Sequence, residues 1–266
     1  MKRRGNAFKR VLYKNLPLET YLRALSKLYF LSFNLGLLKG NRLYEYPYFL
    51  KKVIRKGDIC IDIGANLGYL SVLFSKLVGK QGKVYAVEPV KPVLSVLKKN
   101  TKHLKNIEIF PFALGEENKS IRLGNNTVKD KGFLASGSHS VLDKNIAQNT
   151  TIDVEFEAKM RKGSELFSLL DRLDFVKCDI EGYEIVVIPE LEPIILRFKP
   201  ILLVESRRES RKKLLHFFKE RSYLGYVLNK GFLYSAKEDE YWDILFIPQD
   251  KLGIVEKYIK KTTNNV

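Results

Sequence analysis

Apolar residues along this chain keep two alternating rhythms. Short unbroken runs at Ile59–Ile63, Lys83–Val87 and residues 107–112 read as buried strands, rich in β-branched and aromatic side chains. Between them, Tyr69–Val78 and residues 89–103 repeat apolar positions at helical spacing. The rhythm resumes with a strand at 175–180, a helix from Glu184, a strand at 201–205 and a helix at 210–221. Strand and helix in turn predict an α/β fold, a mostly parallel sheet with helices on both faces. Runs at 226–228 and 242–247 predict a terminal strand pair, which gives such sheets an antiparallel edge.

Two stretches stand outside that rhythm. Ahead of it, Leu18, Tyr21, Leu22, Leu25, Leu28 and Tyr29 recur at helical spacing, with Asn15 as the expected N-cap and Pro17 in the first turn. This predicts an amphipathic helix over 15–38 inside a basic N-terminal extension, residues 1–56. A short helix at 47–54 and the turn Lys56-Gly57-Asp58 lead into the first strand. The second stretch, 124–150, is polar and lies between strand candidates at 120–123 and 152–156. A segment this long reads as a lid or substrate loop, with a plain surface insertion as the bland alternative. One core domain then spans 57–250, and 251–266 is expected to form a C-terminal helix and tail.

Charge changes the picture at the N-terminus. The net charge is +17, and residues 1–58 alone carry 14 Lys/Arg against three Asp/Glu. Such a segment favours anionic surfaces, and residues 1–40 are expected to touch an anionic membrane peripherally. Residues 28–38 are free of charge yet well short of the roughly 20 needed to span a bilayer. No small-residue cleavage pattern follows in Lys39-Gly40-Asn41-Arg42. Cys60 and Cys178 sit in separate apolar runs, which removes a disulfide framework or a cysteine metal site and predicts a reducing, cytoplasmic setting.

The chemistry gathers where strands end. In a doubly wound sheet the ligand lies beyond the carboxyl ends of the strands, here at the turn after Ile63. Gly64 and Gly68 allow a tight turn and close approach, and the helix that follows offers unpaired N–H groups. A dinucleotide fingerprint aligned on Gly64 would need glycine where Asn66 and Tyr69 stand, so a nicotinamide cofactor is disfavoured. Glu88 ends the second strand, where a carboxylate accepts hydrogen bonds from both ribose hydroxyls of a nucleoside cofactor.

These residues fall into a wider pattern. Asp62-Ile63-Gly64-Ala65-Asn66-Leu67-Gly68 is followed by Glu88-Pro89, Asn100, Ala113-Leu114-Gly115 and Asp179-Ile180-Glu181-Gly182-Tyr183-Glu184, with Glu205 ending a later strand. In order and spacing this resembles the FkbM family of methyltransferases. The resemblance implies a Rossmann-like class I methyltransferase fold with seven strands, S-adenosyl-L-methionine as cofactor, and methyl transfer to a hydroxyl of a saccharide or glycan-linked acceptor. Cofactor contacts are then expected from Asp62 on the methionine ammonium, and from Gly64, Ala65, Asn66, Gly68, Glu88, Pro89, Phe112, Ala113 and Asp179. The stretch Ala135-Ser136-Gly137-Ser138-His139-Ser140 matches the family only loosely.

A hydroxyl acceptor must lose its proton. Asp179 and Glu181 are candidate general bases, or, with Glu205, ligands for a divalent cation such as Mg that would acidify the hydroxyl. His139, the one histidine in the lid segment, is a further catalytic candidate, whereas His103 and His216 fall on helices away from the site. Glu184 is expected to be structural, and Glu205 either lines the acceptor pocket or pairs with Arg207 or Arg208. Tyr69, Phe112 and Tyr183 suit stacking or the core, and the basic run from Arg207 to Lys213 reads as a solvated helix end or a phosphate contact. Two rival readings exist. A nucleic-acid methyltransferase fits the pI of about 9.6 but not the strand ending Asp179-Ile180-Glu181-Gly182 or the lack of a separate RNA-binding module. A non-catalytic scaffold with a cofactor fold would have no need of intact Asp62, Glu88 and Asp179.

Overall fold

The computed structural model describes residues 2–142, 152–206, 208–238 and 243–260. Two helices, α1 (Lys2–Asn15) and α2 (Leu18–Asn34), and the short α3 (Glu45–Phe49) precede the first strand, β1 (Ile59–Ile63). Alternation follows with α4 (Tyr69–Val78), β2 (Lys83–Val87), α5 (Lys91–Thr101) and β3 (Ile107–Phe110). Then come β4 (Ala113–Leu114), β5 (Lys119–Asn125), α6 (Thr127–Lys131), β6 (Ser140–Val141), β7 (Val154–Arg161) and α7 (Gly163–Leu166). The second half is β8 (Phe175–Cys178), α8 (Glu184–Glu190), α9 (Glu192–Phe198), β9 (Ile201–Val204), α10 (Arg208–Glu220), β10 (Tyr223–Asn229), β11 (Phe232–Ser235) and β12 (Ile244–Pro248).

Period-two alternation in β1 explains the layering. Ile61 and Ile63 pack into one core with Val187, Ile188, Ile195 and Phe218 from α8, α9 and α10, while Cys60 faces Leu73, Phe74 and Val78 of α4 in another. The sheet is therefore covered on both faces. Its strand order is β11-β10-β12-β9-β8-β1-β2-β3, parallel from β3 to β9, with β12 antiparallel between β9 and β10. The order reverses between β1 and β8, which is the switch point of a doubly wound Rossmann-like sheet.

Eight strands form this sheet where seven were expected. The extra one, β11, returns from β10 through Lys230 and Gly231, both at positive φ, a two-residue hairpin turn. A second difference concerns the segment between β3 and β8. Strands β4, β7, β5 and β6 make a separate four-stranded sheet, with β5 and β7 paired from Lys119↔Met160 to Asn125↔Val154. The lid segment thus starts from a rigid hairpin, and only part of 124–150 is irregular. Residues 143–150 of it lie outside the described residues.

The N-terminus also departs from expectation. Asn15 does not cap α2: it ends α1, and its Nδ2 donates to the Val11 carbonyl at 2.7 Å. Pro17 takes the cap position at φ −52, and its missing N–H separates two helices where one was predicted. Helix α2 turns Tyr21, Leu22 and Ser26 inward, the first two packing with Leu67, Val93, Val96 and the loop residues Phe133 and Leu134. Tyr21 Oη donates to the Leu134 carbonyl at 3.2 Å, and Arg10 Nε donates to the Lys131 carbonyl at 2.6 Å. At the other end, the helix expected after residue 250 is replaced by 3-10 turns at Gln249–Ile254 and Glu256–Tyr258, and residues 261–266 lie outside the described residues. No described helix is long and apolar enough to cross a membrane.

Because Tyr21 is fully buried between α5 and the 127–139 loop, the N-terminal helices belong to the core. Tyr21→Ala should lower unfolding stability by about 3–5 kcal/mol, and Tyr21→Phe by about 1 kcal/mol, read by denaturant titration. An unchanged midpoint in both variants would show the helices to be a detachable appendage.

Candidate active site

The turn after β1 is shaped by what lies behind it. Gly64 has φ 74, and a Cβ there would sit 2.0 Å from the Asp179 carbonyl oxygen, so only glycine lets the turn cross the end of β8. Asn66 is also left-handed, at φ 52, and Gly68 at φ 87 starts α4 against Leu97. Asn100 Nδ2 donates to the Leu67 carbonyl at 2.8 Å and ties the turn to α5.

Glu88 closes the turn from the side. It is buried, and its two carboxylate oxygens accept from the Asn66 and Val90 N–H groups, each at 2.9 Å. Burial pushes its pKa up to about 7, with the two N–H donors opposing. Each oxygen keeps a second acceptor position, the arrangement a vicinal diol requires.

Beneath the turn lies a buried cation. Lys177 Nζ donates to the carbonyls of Ile63 and Gly64 at 3.2 and 2.8 Å, and stands 3.4 Å from Asp179 Oδ2 and 3.7 Å from Asp62 Oδ1. Burial alone would lower the lysine pKa, but Asp179 and Asp62 raise it above its ordinary value. Asp62 accepts from Ser71 Oγ at 2.5 Å and is fully buried, which raises its own pKa in spite of Lys177.

The turn after β8 is held by Glu184. Its Oε1 accepts from Ile180 N–H at 2.7 Å and its Oε2 from Gly182 N–H at 3.0 Å, fixing Glu181 at φ 60 and Gly182 at φ 102. Burial, and after it the Glu205 carboxylate, raises Glu184 to about 7. The side chain predicted to be structural thus makes the hydrogen bonds that shape the turn.

A cavity of about 310 Å³ lies over these turns. Its walls include Gly64, Asn66, Glu88, Pro89, Phe112, Ala113, Asp179, Glu181, Glu205 and, from the lid loop, Ser136, Gly137 and His139. His139 Nδ1 lies 3.0 Å from the Ser136 carbonyl, which only accepts, so Nδ1 carries the proton and Nε2 presents its lone pair. Among the described residues Nε2 is buried with no hydrogen-bond partner, as is Asn66 Oδ1. Burial lowers the His139 pKa to about 4, the Ser136 hydrogen bond opposing, so the ring is neutral at physiological pH. The loop is fixed by Asn125 Nδ2 donating to the Ala135 carbonyl at 2.9 Å and by Ala135 N–H donating to Thr127 Oγ1 at 2.8 Å.

Several expected contacts need correction. Asp62, Ala65 and Gly68 do not line the cavity. The Asp62 carboxylate is turned inward, toward Ser71 and Lys177. Among the described residues no three His, Cys, Asp or Glu side chains converge as a metal site, so Asp179, Glu181 and Glu205 do not form the ligand set considered for a divalent cation. Arg211, expected on a solvated helix end, is fully buried and donates from Nη1 to Ser206 Oγ at 2.6 Å; Arg207 and the side chain of Arg208 lie outside the described residues. Cys60 and Cys178 are free and buried, their thiols pushed well up by burial.

Two functional residues were not foreseen. Lys177 was hidden inside an apolar run, although a lysine between Val176 and Cys178 is itself a signal of a buried ion pair. Asp243 lines the cavity from the first position before β12, and burial, with Asp179 and Glu205, raises it to about 7. Because β12 is antiparallel, its start lies beside the end of β9, with Ile244 opposite Val204.

Comparison with known proteins places this arrangement. A 58-residue stretch is 40% identical to the protein-L-isoaspartate O-methyltransferase of Methanosarcina mazei, covering 21% of this chain and 24%, about a quarter, of that protein. Among solved structures, the FkbM methyltransferase of Methylobacillus flagellatus KT superposes with TM-score 0.45 and 16% identity, over 75% of this chain and half, 50%, of the other. Aeropyrum pernix fibrillarin, solved with natively bound S-adenosyl-L-methionine, superposes with TM-score 0.41 and 12% identity, over 73% and 67%. The family model described as Methyltransferase FkbM domain matches residues 62–234, from the glycine turn through Glu88 and the Asp179 turn to β11, and the chain belongs to this family of S-adenosylmethionine-dependent methyltransferases.

Proposed function

We propose that the protein is an O-methyltransferase that uses S-adenosylmethionine to methylate a hydroxyl of a saccharide or glycan-linked acceptor. The observation that carries this reading is one cavity joining a diol-binding carboxylate, Glu88, to a neutral, unpartnered base nitrogen, His139 Nε2.

The residues present fit the cofactor. Glu88 has acceptor positions left for the ribose hydroxyls, and the buried Asn66 Oδ1 awaits a donor. Carboxylates of Asp179, Glu181, Glu205 and Asp243 line the cavity and favour a cationic ligand. When bound, S-adenosylmethionine supplies a methyl group on a positively charged sulfonium. Around it, His139 Nε2 accepts the proton of the acceptor hydroxyl, while Glu181, Glu205 and Asp243 offer oxygens that neighbouring hydroxyls can donate to. Alignment of the acceptor is the protein's main contribution. A polyol matches such a wall, whereas the phosphates of a nucleic acid would be repelled by it. Two buried, unpaired thiols support a reducing, cytoplasmic setting.

A peripheral membrane contact has its own observation. Of ten large hydrophobics left exposed among the described residues, seven lie between Phe8 and Leu43, on or just after the basic helices. Apolar side chains flanked by Lys and Arg suit an anionic bilayer surface.

Three outcomes test these readings. Glu88→Gln should weaken S-adenosylmethionine binding at least about tenfold by calorimetry, the cost of one charge-assisted hydrogen bond. It should also flatten the stability profile. The raised pKa values of Glu88, Glu184 and Asp243 mean that the folded protein holds protons the unfolded chain releases, so ligand-free stability should fall as pH rises from about 4 through about 7. His139→Gln should reduce kcat by about 10²–10⁴ and leave cofactor affinity within about twofold; an unchanged kcat would remove His139 as the base. For the membrane contact, the protein should float with vesicles containing phosphatidylglycerol but not with phosphatidylcholine alone, and the double substitution Leu31→Asp and Leu35→Asp should abolish flotation. Removing residues 1–40 is not the informative variant, since it would also strip Tyr21 and Leu22 from the core.

A further inference from the structure

A second cavity, of about 460 Å³, lies between the N-terminal helices and the loop that carries His139. Its chemistry differs from that of the reaction cavity. Phe8 from α1, Leu25, Leu28 and Tyr29 from α2, Tyr69 from α4 and Phe133 from the loop give it hydrocarbon and aromatic walls. Phe8 and Leu28 are 50% and 43% exposed, so the groove opens to the surface through apolar side chains. Ser136 and Gly137 line both this groove and the reaction cavity, which therefore share one short stretch of loop.

One cation is built into the groove. Lys9 lies in its wall, Nζ 5.4 Å from the centre of the Phe133 ring. Burial lowers its pKa, and the second cause is Lys131, another cation. Arg10, the next residue, reaches the Lys131 carbonyl. A partly desolvated ammonium beside a second positive charge, set in an apolar groove, calls for a ligand that is hydrocarbon along its length and anionic at one point. A soluble sugar would leave these walls without a partner, and an apolar peptide would leave the cations unmatched.

We propose that this groove binds the hydrocarbon chain of a lipid-linked acceptor, with Lys9 at the phosphate of its head group and the saccharide reaching His139 past Ser136 and Gly137. The acceptor is then an alkyl or isoprenoid phosphate glycan, an assignment that rests on the reading of the reaction cavity as a saccharide O-methyltransferase site. The N-terminal helices would lie on the bilayer that holds such a molecule, and the groove would lead its head group inward.

Alkyl phosphates of increasing chain length, used below their micellar concentrations, are the probe. Their affinity for the full-length protein, followed by tyrosine fluorescence, should rise roughly fourfold per methylene if each is buried. Leu28→Asp should weaken decyl phosphate at least about tenfold. Lys9→Gln should weaken decyl phosphate but not decanol, and S-adenosylmethionine affinity should stay within about twofold in both variants. In the presence of cell extract and labelled cofactor, label should enter a fraction extracted by chloroform and methanol. Three results would each overturn the proposal: affinity independent of chain length, Leu28→Asp binding decyl phosphate as well as the parent, or sedimentation showing a dimer that Leu28→Asp dissociates. Label confined to water-soluble glycan would also overturn it while leaving saccharide methylation intact. Failure to bind S-adenosylmethionine at all would instead remove the underlying O-methyltransferase reading.

Discussion

The buried ammonium of Lys177 is the contact on which the site depends. It stands where the strand order reverses, between Asp62 at the end of β1 and Asp179 after β8, and it donates to two carbonyls of the glycine turn. A lone lysine at this depth would be costly, and so would the buried Asp62 carboxylate. Together they are tolerable, and the cost of removing one member of the set fixes the others in place. The same crossing explains Gly64. With Lys177 drawing the turn toward β8, no space remains for a side chain over the Asp179 carbonyl.

Around that cation the cavity wall is rich in carboxylates. Asp179, Glu181, Glu205, Asp243 and Glu88 all line one cavity, and burial raises Glu88 and Asp243 to about 7. Carboxylates on the wall of a cavity favour a cationic ligand, and a sulfonium is one. Much of the net positive balance lies elsewhere, since residues 1–58 carry 14 Lys/Arg against three Asp/Glu, and the net charge of +17 therefore misdescribes the site.

How much of this could be read from the sequence follows from which contacts are local. The β1, α4 and β2 boundaries were legible because buried parallel strands are continuous apolar runs and amphipathic helices repeat at their own period. The glycine turn and Glu88 were legible because their spacing is set within one βαβ unit. The inward direction of the Asp62 carboxylate was not legible, because sequence shows a residue at a strand end but not which way its side chain points. Asp243 was missed because the rule about carboxyl ends holds for parallel strands, and β12 runs the other way. Strand candidates at 120–123 and 152–156 anticipated parts of β5 and β7, but their pairing with each other in a separate sheet, across a long insertion, was not legible.

The placement of His139 on a loop, and not on the sheet, has a physical logic. A base carried on a strand end would be held rigidly, as Asp179 is, and would share the field of the carboxylates around it. Carried on the 127–139 loop, it lines the same cavity from outside the large sheet, and burial keeps it neutral. The cost is that a loop must be positioned by something else. Here Asn125 and Thr127 bind it from within, and Tyr21 and Arg10 hold it from the N-terminal helices. The helices that meet the surface are thus the same ones that position the candidate base, and whatever displaces α2 must also displace Leu134 and the loop that leads to His139.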